Sequence, residues 1–235
     1  MNVEVLVDAE ALATRAMEIV VAAAVEAIGE RGLFVWAVSG GTTPRRMLEL
    51  LRESSDLDWS RVHLCQVDER VAPADHADRN ATMLREALLS PDFLERHDVA
   101  GVHLMPVEAP DLDEAAYEYA ATIDALAGAP VVLDLVQLGL GSDGHTASLI
   151  PGDDVLEVAD RDVALTGDYQ GRRRMTLTWP VLDRAKQQLW VIGGESKQVA
   201  LSRYLDNDPG IPATLPTQAR ATVLVDEAAW GTGGG

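Results

Sequence analysis

The chain has 235 residues and a formal net charge of −19 at pH 7, with 38 acidic and 19 basic residues. This charge argues against nucleic acid or an anionic membrane surface as the partner. Cys65 is the single cysteine, which excludes a disulfide within the chain and a C-x-x-C metal or redox site. The N-terminus lacks a basic segment followed by an apolar one, and its apolar run at 19–25 is too short to span a bilayer. We therefore expect a cytoplasmic protein with no membrane partner.

The first half of the chain alternates between two apolar patterns. Short runs rich in β-branched residues are typical of buried strands, and they lie at 3–7, 33–38, 62–67 and 102–105. Apolar residues at helical spacing predict helices between these runs, at 8–29, 45–52, 80–88 and 111–126. Asp8, Asn80 and Asp111 are the expected N-caps of three of these helices.

A glycine-rich turn follows the next strand. The segment 131–152 begins as an apolar run and then passes through three glycines within 139–144 to His145. Glycine allows the backbone to turn tightly and to come close to a ligand. A short helix is expected at 146–150, ended by Pro151.

The last third of the chain predicts further strands at 162–166, 174–179, 189–192 and 221–225, with a helix from about 197 to 205. Strands that alternate with helices predict an α/β fold: a doubly wound, mostly parallel, Rossmann-like sheet with helices on both faces. We expect one domain over residues 1–230 and a flexible tail at 231–235.

The carboxyl ends of parallel strands meet at one edge of such a sheet, where ligands bind. The first strand-end loop, 39–44, contains Gly40 and Gly41 and opens a helix. Free N–H groups there favour an anion, and Thr42 adds a hydroxyl donor. An ordinary strand-to-helix turn explains the same residues.

The second loop is Asp68-Glu69-Arg70. Two carboxylates and an arginine after an apolar strand are poorly placed for a core. Arg70 is suited to bind a phosphate through two hydrogen bonds, with Asp68 orienting it. A solvated surface turn with a local ion pair is the alternative.

The third loop leads to His145. Residues 139–144 match G-x-G-x-x-G, but Pro151 ends the following helix too early for a dinucleotide-binding unit. A structural role is the default for a lone histidine. His145 differs because Asp143 lies close in sequence and is suited to fix the tautomer of its ring.

The fourth loop, 193–197, places Lys197 at a helix start, which is unfavourable unless an anion compensates. A free surface lysine is the alternative. The three arginines at 172–174 add further positive charge, and solvation of some or all of them is the alternative. No metal site stands out.

Five segments together carry a family resemblance: SGGTTP, VDER, LGLGSDGHTASLIPG, RRRMTLTWPVLDRA and LWVIGGESK. In this order and spacing they resemble the 6-phosphogluconolactonase family, over essentially the whole chain. The family's fold resembles that of glucosamine-6-phosphate deaminases. The resemblance implies hydrolysis of 6-phospho-D-glucono-1,5-lactone, the second step of the oxidative pentose phosphate pathway. It implies no metal or organic cofactor, and a small sugar-phosphate lactone as the partner.

The resemblance also implies roles for individual residues. His145 would be the general base, supported by Asp143 and Asp68. The phosphate would be bound by cations and by the glycine loop: Arg70, Lys197, Arg174, Gly40, Gly41 and Thr42.

Two other functions are compatible with this fold. A sugar-phosphate isomerase or deaminase would resemble GHxxFNEP after the glycine turn, whereas TASLIPG follows His145 here. A sugar-phosphate sensor would need a DNA-reading module, which an acidic chain does not favour. The oligomeric state stays open, with a monomer preferred.

Overall fold

A computed structural model describes residues 1–231. Ten strands are present in these residues: β1 (Asn2–Leu6), β2 (Phe34–Val38), β3 (Val62–Gln66), β4 (Asp68–Arg70), β5 (Gly101–His103), β6 (Leu135–Leu138), β7 (Val163–Leu165), β8 (Arg174–Leu177), β9 (Gln187–Ile192) and β10 (Ala221–Asp226). The eight α-helices of these residues are α1 (Ala9–Arg31), α2 (Thr42–Glu53), α3 (Asn80–Ala87), α4 (Pro91–Arg96), α5 (Leu112–Ala127), α6 (Trp179–Arg184), α7 (Gln198–Leu205) and α8 (Glu227–Trp230).

Seven strands form one sheet in the order β1-β10-β9-β6-β2-β3-β5, and every pairing in it is parallel. The predicted mostly parallel sheet is confirmed. The other three strands form a small antiparallel sheet in the order β4-β8-β7, which the sequence patterns did not separate from the main sheet.

Both faces of the large sheet are covered. In β2, Phe34 and Trp36 pack into the core shared with α1 to α4, whereas Val35 and Ala37 pack into the core beneath α5, α6, α7 and the small sheet. Burying a large apolar side chain contributes about 1.5–3 kcal/mol, so these two cores hold the layers together. The doubly wound arrangement is thereby confirmed. No helix among residues 1–231 has both the length and the apolar character needed to cross a membrane.

Two of the three predicted helix N-caps are confirmed. Asp8 caps α1 by accepting from Ala11 N at 2.8 Å, and Asp111 caps α5 by accepting from two backbone N–H groups. Asn80 is not an N-cap: the cap position of α3 is Arg79, without a side-chain hydrogen bond. Gly231, the first residue of the predicted tail, ends α8, and the rest of that tail (232–235) lies outside the described residues.

The helix predicted at 146–150 does not form. Thr146 Oγ1 donates to Gly139 O at 2.9 Å, and Ser148 N donates to Thr176 Oγ1 at 3.2 Å. Ala147 between them adopts φ 51°. Because these tertiary partners hold the segment and Ala147 is left-handed, it forms a tight turn instead of a helical turn.

The expectation that residues 68–70 are unsuited to a core is wrong. Glu69 is 0% exposed and Asp68 is 4% exposed. The Glu69 carboxylate accepts from Asn80 N and Ala81 N, each at 2.8 Å, and so takes the place of an N-cap for α3. Arg79 Nε lies 3.1 Å from Glu69 Oε2. Buried charge is tolerated where donors surround it, and Glu69 thereby fixes α3 against β4.

Replacing Glu69 with glutamine should lower the free energy of unfolding by about 1–3 kcal/mol, because donors that now meet a carboxylate oxygen would face an amide group. Guanidinium denaturation measures the change. The matched control is Glu108→Gln, since Glu108 binds the same Arg79 at 2.8 Å but is 52% exposed. Equal losses in the two variants would contradict the role assigned to Glu69.

Candidate active site

The loops that follow β2, β3, β6 and β9 meet at the carboxyl edge of the large sheet, around a cavity of about 460 Å³. The cavity is lined by nearly all of the residues selected from the sequence: Gly40, Gly41, Thr42, Asp68, Arg70, His145, Arg174 and Lys197. Asp143 lies behind His145 and holds its ring. The four predicted loops therefore come together.

His145 is fixed by its own turn. Gly141 N donates to His145 O at 2.8 Å, and Asp143 Oδ1 lies 2.6 Å from His145 Nδ1. A carboxylate at that distance accepts the Nδ1–H, which leaves the Nε2 lone pair available. Within residues 1–231, His145 Nε2 has no protein partner, and the ring borders the cavity. This arrangement leaves Nε2 able to accept a proton from a molecule in the cavity.

Tyr169 contacts the second oxygen of the Asp143 carboxylate. Its hydroxyl donates to Asp143 Oδ2 at 2.7 Å. Burial by itself raises the pKa of Asp143, but the Tyr169 hydrogen bond and His145 lower it more, so the pKa lies below its ordinary value. Asp143 is therefore ionised at neutral pH, where its carboxylate accepts the Nδ1–H of His145.

The close approach of Gly141 to His145 leads to a testable expectation. A Cβ at Gly141 would lie 2.1 Å from His145 Nδ1. Gly141→Ala should therefore displace the ring, break its contact with Asp143 and lower kcat by at least about 10-fold, the equivalent of about 1.4 kcal/mol. Gly29→Ala on α1 is the control, since a Cβ there meets nothing within 4 Å and Gly29 does not line the cavity. A kcat that falls equally in both variants would contradict this reading.

The N-terminus of α2 forms one wall of the cavity. Its cap is Gly41 at φ 114°, ψ 174°, and no side chain bonds to the first N–H groups of the helix. Gly40 touches the Asn80 side chain so closely that a Cβ would lie 1.8 Å from Asn80 Oδ1. The glycine pair thus leaves backbone donors and the positive end of the helix facing the cavity.

Three cations line the same cavity. Arg70 and Arg174 are direct partners across β4 and β8, and Lys197 lies on the opposite loop. Like charges placed opposite each other in a sheet repel. Burial lowers the pKa of Arg174, and the charge of Arg70 lowers it further despite the attraction of Asp68. Burial also lowers the pKa of Lys197. An anion bound between the cations would weaken their repulsion and stabilise the charged forms of Arg174 and Lys197.

The hydrogen bonds of the two arginines go to neutral acceptors. Arg70 Nη1 donates to Asp78 O at 2.6 Å, and Arg174 donates to Ser148 Oγ and Gln170 Oε1, both at 3.5 Å. In the described part of the chain, no carboxylate forms an ion pair with Arg70, Arg174 or Lys197. In a chain with net charge −19, this leaves a local positive cavity.

Asp68 holds the cavity wall. Its Oδ2 accepts from Ser148 Oγ at 2.6 Å, and its Oδ1 accepts from Asn80 Nδ2 at 3.1 Å. Ser148 Oγ in turn accepts from Arg174 Nη1. Asp68 is thus connected to Arg174 through a serine.

The sequence patterns did not mark Tyr169, Ser148 or the contacts of Asn80 with Asp68 and Gly40 as parts of the site. Ser148 belongs to the quoted TASL segment, whereas no pattern marked Tyr169. The three arginines at 172–174 separate: Arg172 binds Asp78, Arg173 donates to a backbone oxygen, and only Arg174 enters the cavity.

Three further histidines lie outside the cavity lining. His63 Nδ1 and His103 Nε2 lie 3.2 Å apart, and His97 packs on Phe93. Over residues 1–231, no three His, Cys, Asp or Glu side chains are grouped to hold a metal ion.

Comparison with known proteins agrees with this architecture. A family described as glucosamine-6-phosphate isomerases/6-phosphogluconolactonase matches residues 7–225. A 6-phosphogluconolactonase of Synechocystis is 38% identical over 206 residues, which cover 85% of this chain and 83% of that protein. The crystal structure of 6-phosphogluconolactonase from Thermotoga maritima has a TM-score of 0.81 at 26% identity and covers 96% of this chain and 98% of its own.

A monomeric glucosamine-6-phosphate deaminase shares the fold, with a TM-score of 0.79 at 19% identity, covering 97% of this chain and 98% of its own. The match over residues 7–225 and the cationic cavity at the sheet edge lead to one conclusion. The chain belongs to the glucosamine-6-phosphate isomerase/6-phosphogluconolactonase family.

Proposed function

We propose that this chain hydrolyses 6-phospho-D-glucono-1,5-lactone to 6-phospho-D-gluconate, the second step of the oxidative pentose phosphate pathway. One observation carries the proposal: a histidine with a free Nε2 shares a cavity with three cations that have no carboxylate partner in the described chain. The substrate has the matching parts, an activated ester and a phosphate. The 6-phosphogluconolactonase of Synechocystis supports the same reaction.

The reaction needs one base. His145 Nε2 takes a proton from water, whose oxygen attacks the lactone carbonyl carbon, and the ring C–O bond then breaks. The proton on Nε2 passes to the departing ring oxygen, which becomes the sugar hydroxyl. Asp143 stabilises the imidazolium that forms between these steps. No covalent nucleophile is required.

The phosphate end is held by two kinds of donor. The N–H groups of Thr42 and Thr43 lie at the start of α2, and their positive dipole end favours an anion. We assign Arg70 and Lys197 as direct phosphate ligands and Arg174 as the third cation around it. Holding the phosphate positions the carbonyl for attack by the water that His145 activates.

The proposal is tested with two substrates. Acid release from freshly generated 6-phosphogluconolactone should exceed spontaneous hydrolysis, and ammonia release from glucosamine 6-phosphate should stay at background. Ammonia release without lactone hydrolysis would replace the proposal with a deaminase. Binding of 6-phosphogluconate without turnover of either substrate would replace it with a sensor.

The lowered pKa of Lys197 predicts a pH dependence of product binding. Only protonated lysine attracts the phosphate, and burial makes Lys197 lose its proton at lower pH than an ordinary lysine at about 10.4. The Kd of 6-phosphogluconate should therefore rise with pH in the alkaline range, as measured by calorimetry. Lys197→Arg should remove this rise, and an unchanged rise in that variant would contradict the assignment.

We also propose that the protein works in the cytoplasm on a small-molecule partner. Its single thiol, Cys65, is buried, and burial raises the pKa of this thiol to about 12. Such a thiol is unreactive, which suits a chain without disulfides.

A further inference from the structure

We propose that Tyr169 is a positioning residue of the lactonase site, which orients the base through Asp143 and seats Arg174 on its ring. The inference rests on the proposed function and deepens it. Tyr169 borders the cavity and contacts both halves of the site. The phosphate side and the base side are thereby linked by one side chain.

The hairpin between β7 and β8 fixes Tyr169. Tyr169 N donates to Arg172 O at 2.9 Å, and Arg172 N donates to Tyr169 O at 3.3 Å. Gln170 and Gly171 between them have φ 54° and 78°, as a tight two-residue hairpin turn requires. Arg172 Nε also donates to Asp78 Oδ2 at 2.8 Å, which ties the hairpin to the loop behind Arg70.

On the base side, Tyr169 and His145 divide the Asp143 carboxylate between them. Tyr169 donates to Oδ2 at 2.7 Å, while His145 Nδ1 meets Oδ1 at 2.6 Å. The backbone N–H of His145 also donates to Oδ1, at 3.2 Å. Donors on both oxygens fix the plane of the carboxylate and therefore the plane of the imidazole. Burial and the Asp143 contact raise the pKa of Tyr169, so its hydroxyl remains a donor at every pH where the enzyme is expected to work.

On the phosphate side, the ring of Tyr169 supports Arg174. The guanidinium carbon of Arg174 lies 4.9 Å from the ring centroid, within the range of a cation–π contact. The same ring and the imidazole of His145 form a T-shaped pair, with the two ring centroids 5.6 Å apart. The phenol ring and the phenol hydroxyl therefore have separate tasks, which substitutions are able to separate.

Two variants test the proposal. Tyr169→Phe keeps the ring and removes the hydroxyl, so kcat should fall about 10-fold, as for a lost hydrogen bond to a charged group, with KM unchanged. Tyr169→Leu also removes the seat of Arg174, so KM for the phosphorylated lactone should rise as well. Tyr117→Phe is the control, because Tyr117 is 72% exposed on α5.

Nitrogen-15 NMR of labelled histidine supplies a readout that does not need turnover. The unaltered chain should show His145 protonated on Nδ1, and Tyr169→Phe should show a mixture of the two tautomers. A Tyr169→Phe protein with unchanged kcat and unchanged tautomer would overturn the proposal. So would a Tyr169→Phe effect on KM alone. If the unaltered chain fails to hydrolyse the lactone, the proposed function fails, while the tautomer comparison still decides the role of Tyr169.

Discussion

Replacing His145 with alanine should lower kcat for 6-phosphogluconolactone by about 10²- to 10⁴-fold, the usual contribution of a general base. The expectation follows from the geometry of the ring, whose Nδ1 is held by Asp143 and whose Nε2 is free to take a proton from water. KM should change little, because phosphate binding depends on other residues. Initial rates of acid release, corrected for spontaneous hydrolysis, measure the effect.

His97→Ala serves as the matched control for this variant. His97 packs on Phe93 at the end of α4 and is absent from the cavity lining. Its replacement should leave kcat unchanged, with any cost confined to stability. A His145→Ala protein that remains folded with near-normal kcat would remove His145 from the mechanism.

Replacing Lys197 with alanine should lower kcat/KM for the phosphorylated lactone by about 10- to 150-fold, as expected for a hydrogen bond to a charged group of about 1.5–3 kcal/mol. In the role proposed for it, Lys197 binds the phosphate, which is far from the bond that breaks, so the loss should appear mainly in KM. If phosphate binding also positions the lactone carbonyl, kcat falls too.

Glucono-1,5-lactone, which has no phosphate, tests whether Lys197 acts on the phosphate of the substrate. The unaltered chain should hydrolyse it poorly, and Lys197→Ala should make it little worse. Lys186→Ala is the control, because the other lysine of the chain pairs with Glu30 and Asp134 at the opposite end of the sheet. An equal loss on both lactones after Lys197→Ala would place Lys197 at the carbonyl or in folding, and not at the phosphate.

The gathering of the site was predictable because strand ends meet at one edge of a parallel sheet. His145, Arg70 and Lys197 each follow an apolar strand, and they line one cavity. The roles assigned to them remain proposals. Local patterns were reliable where local physics dominates, as at Asp8, whose side chain caps α1.

The patterns failed where distant segments decide the local structure. Residues 146–150 have an acceptable helical composition, but Thr146 and Ser148 bond to other segments. The sequence predicts that Glu69 is a poor core residue, yet its side chain is buried and accepts hydrogen bonds from backbone N–H groups of α3. Tyr169 reaches the site only because a small antiparallel sheet folds its hairpin over Asp143, and no motif in the sequence encodes that contact.

The most direct test is a pH-stat measurement of freshly generated 6-phosphogluconolactone with the unaltered chain, with His145→Ala and with buffer alone. Acid release should be fast with the unaltered chain and should fall close to the buffer rate with His145→Ala. Release at the buffer rate from the unaltered chain, or equal fast release from both proteins, would contradict a lactonase whose base is His145.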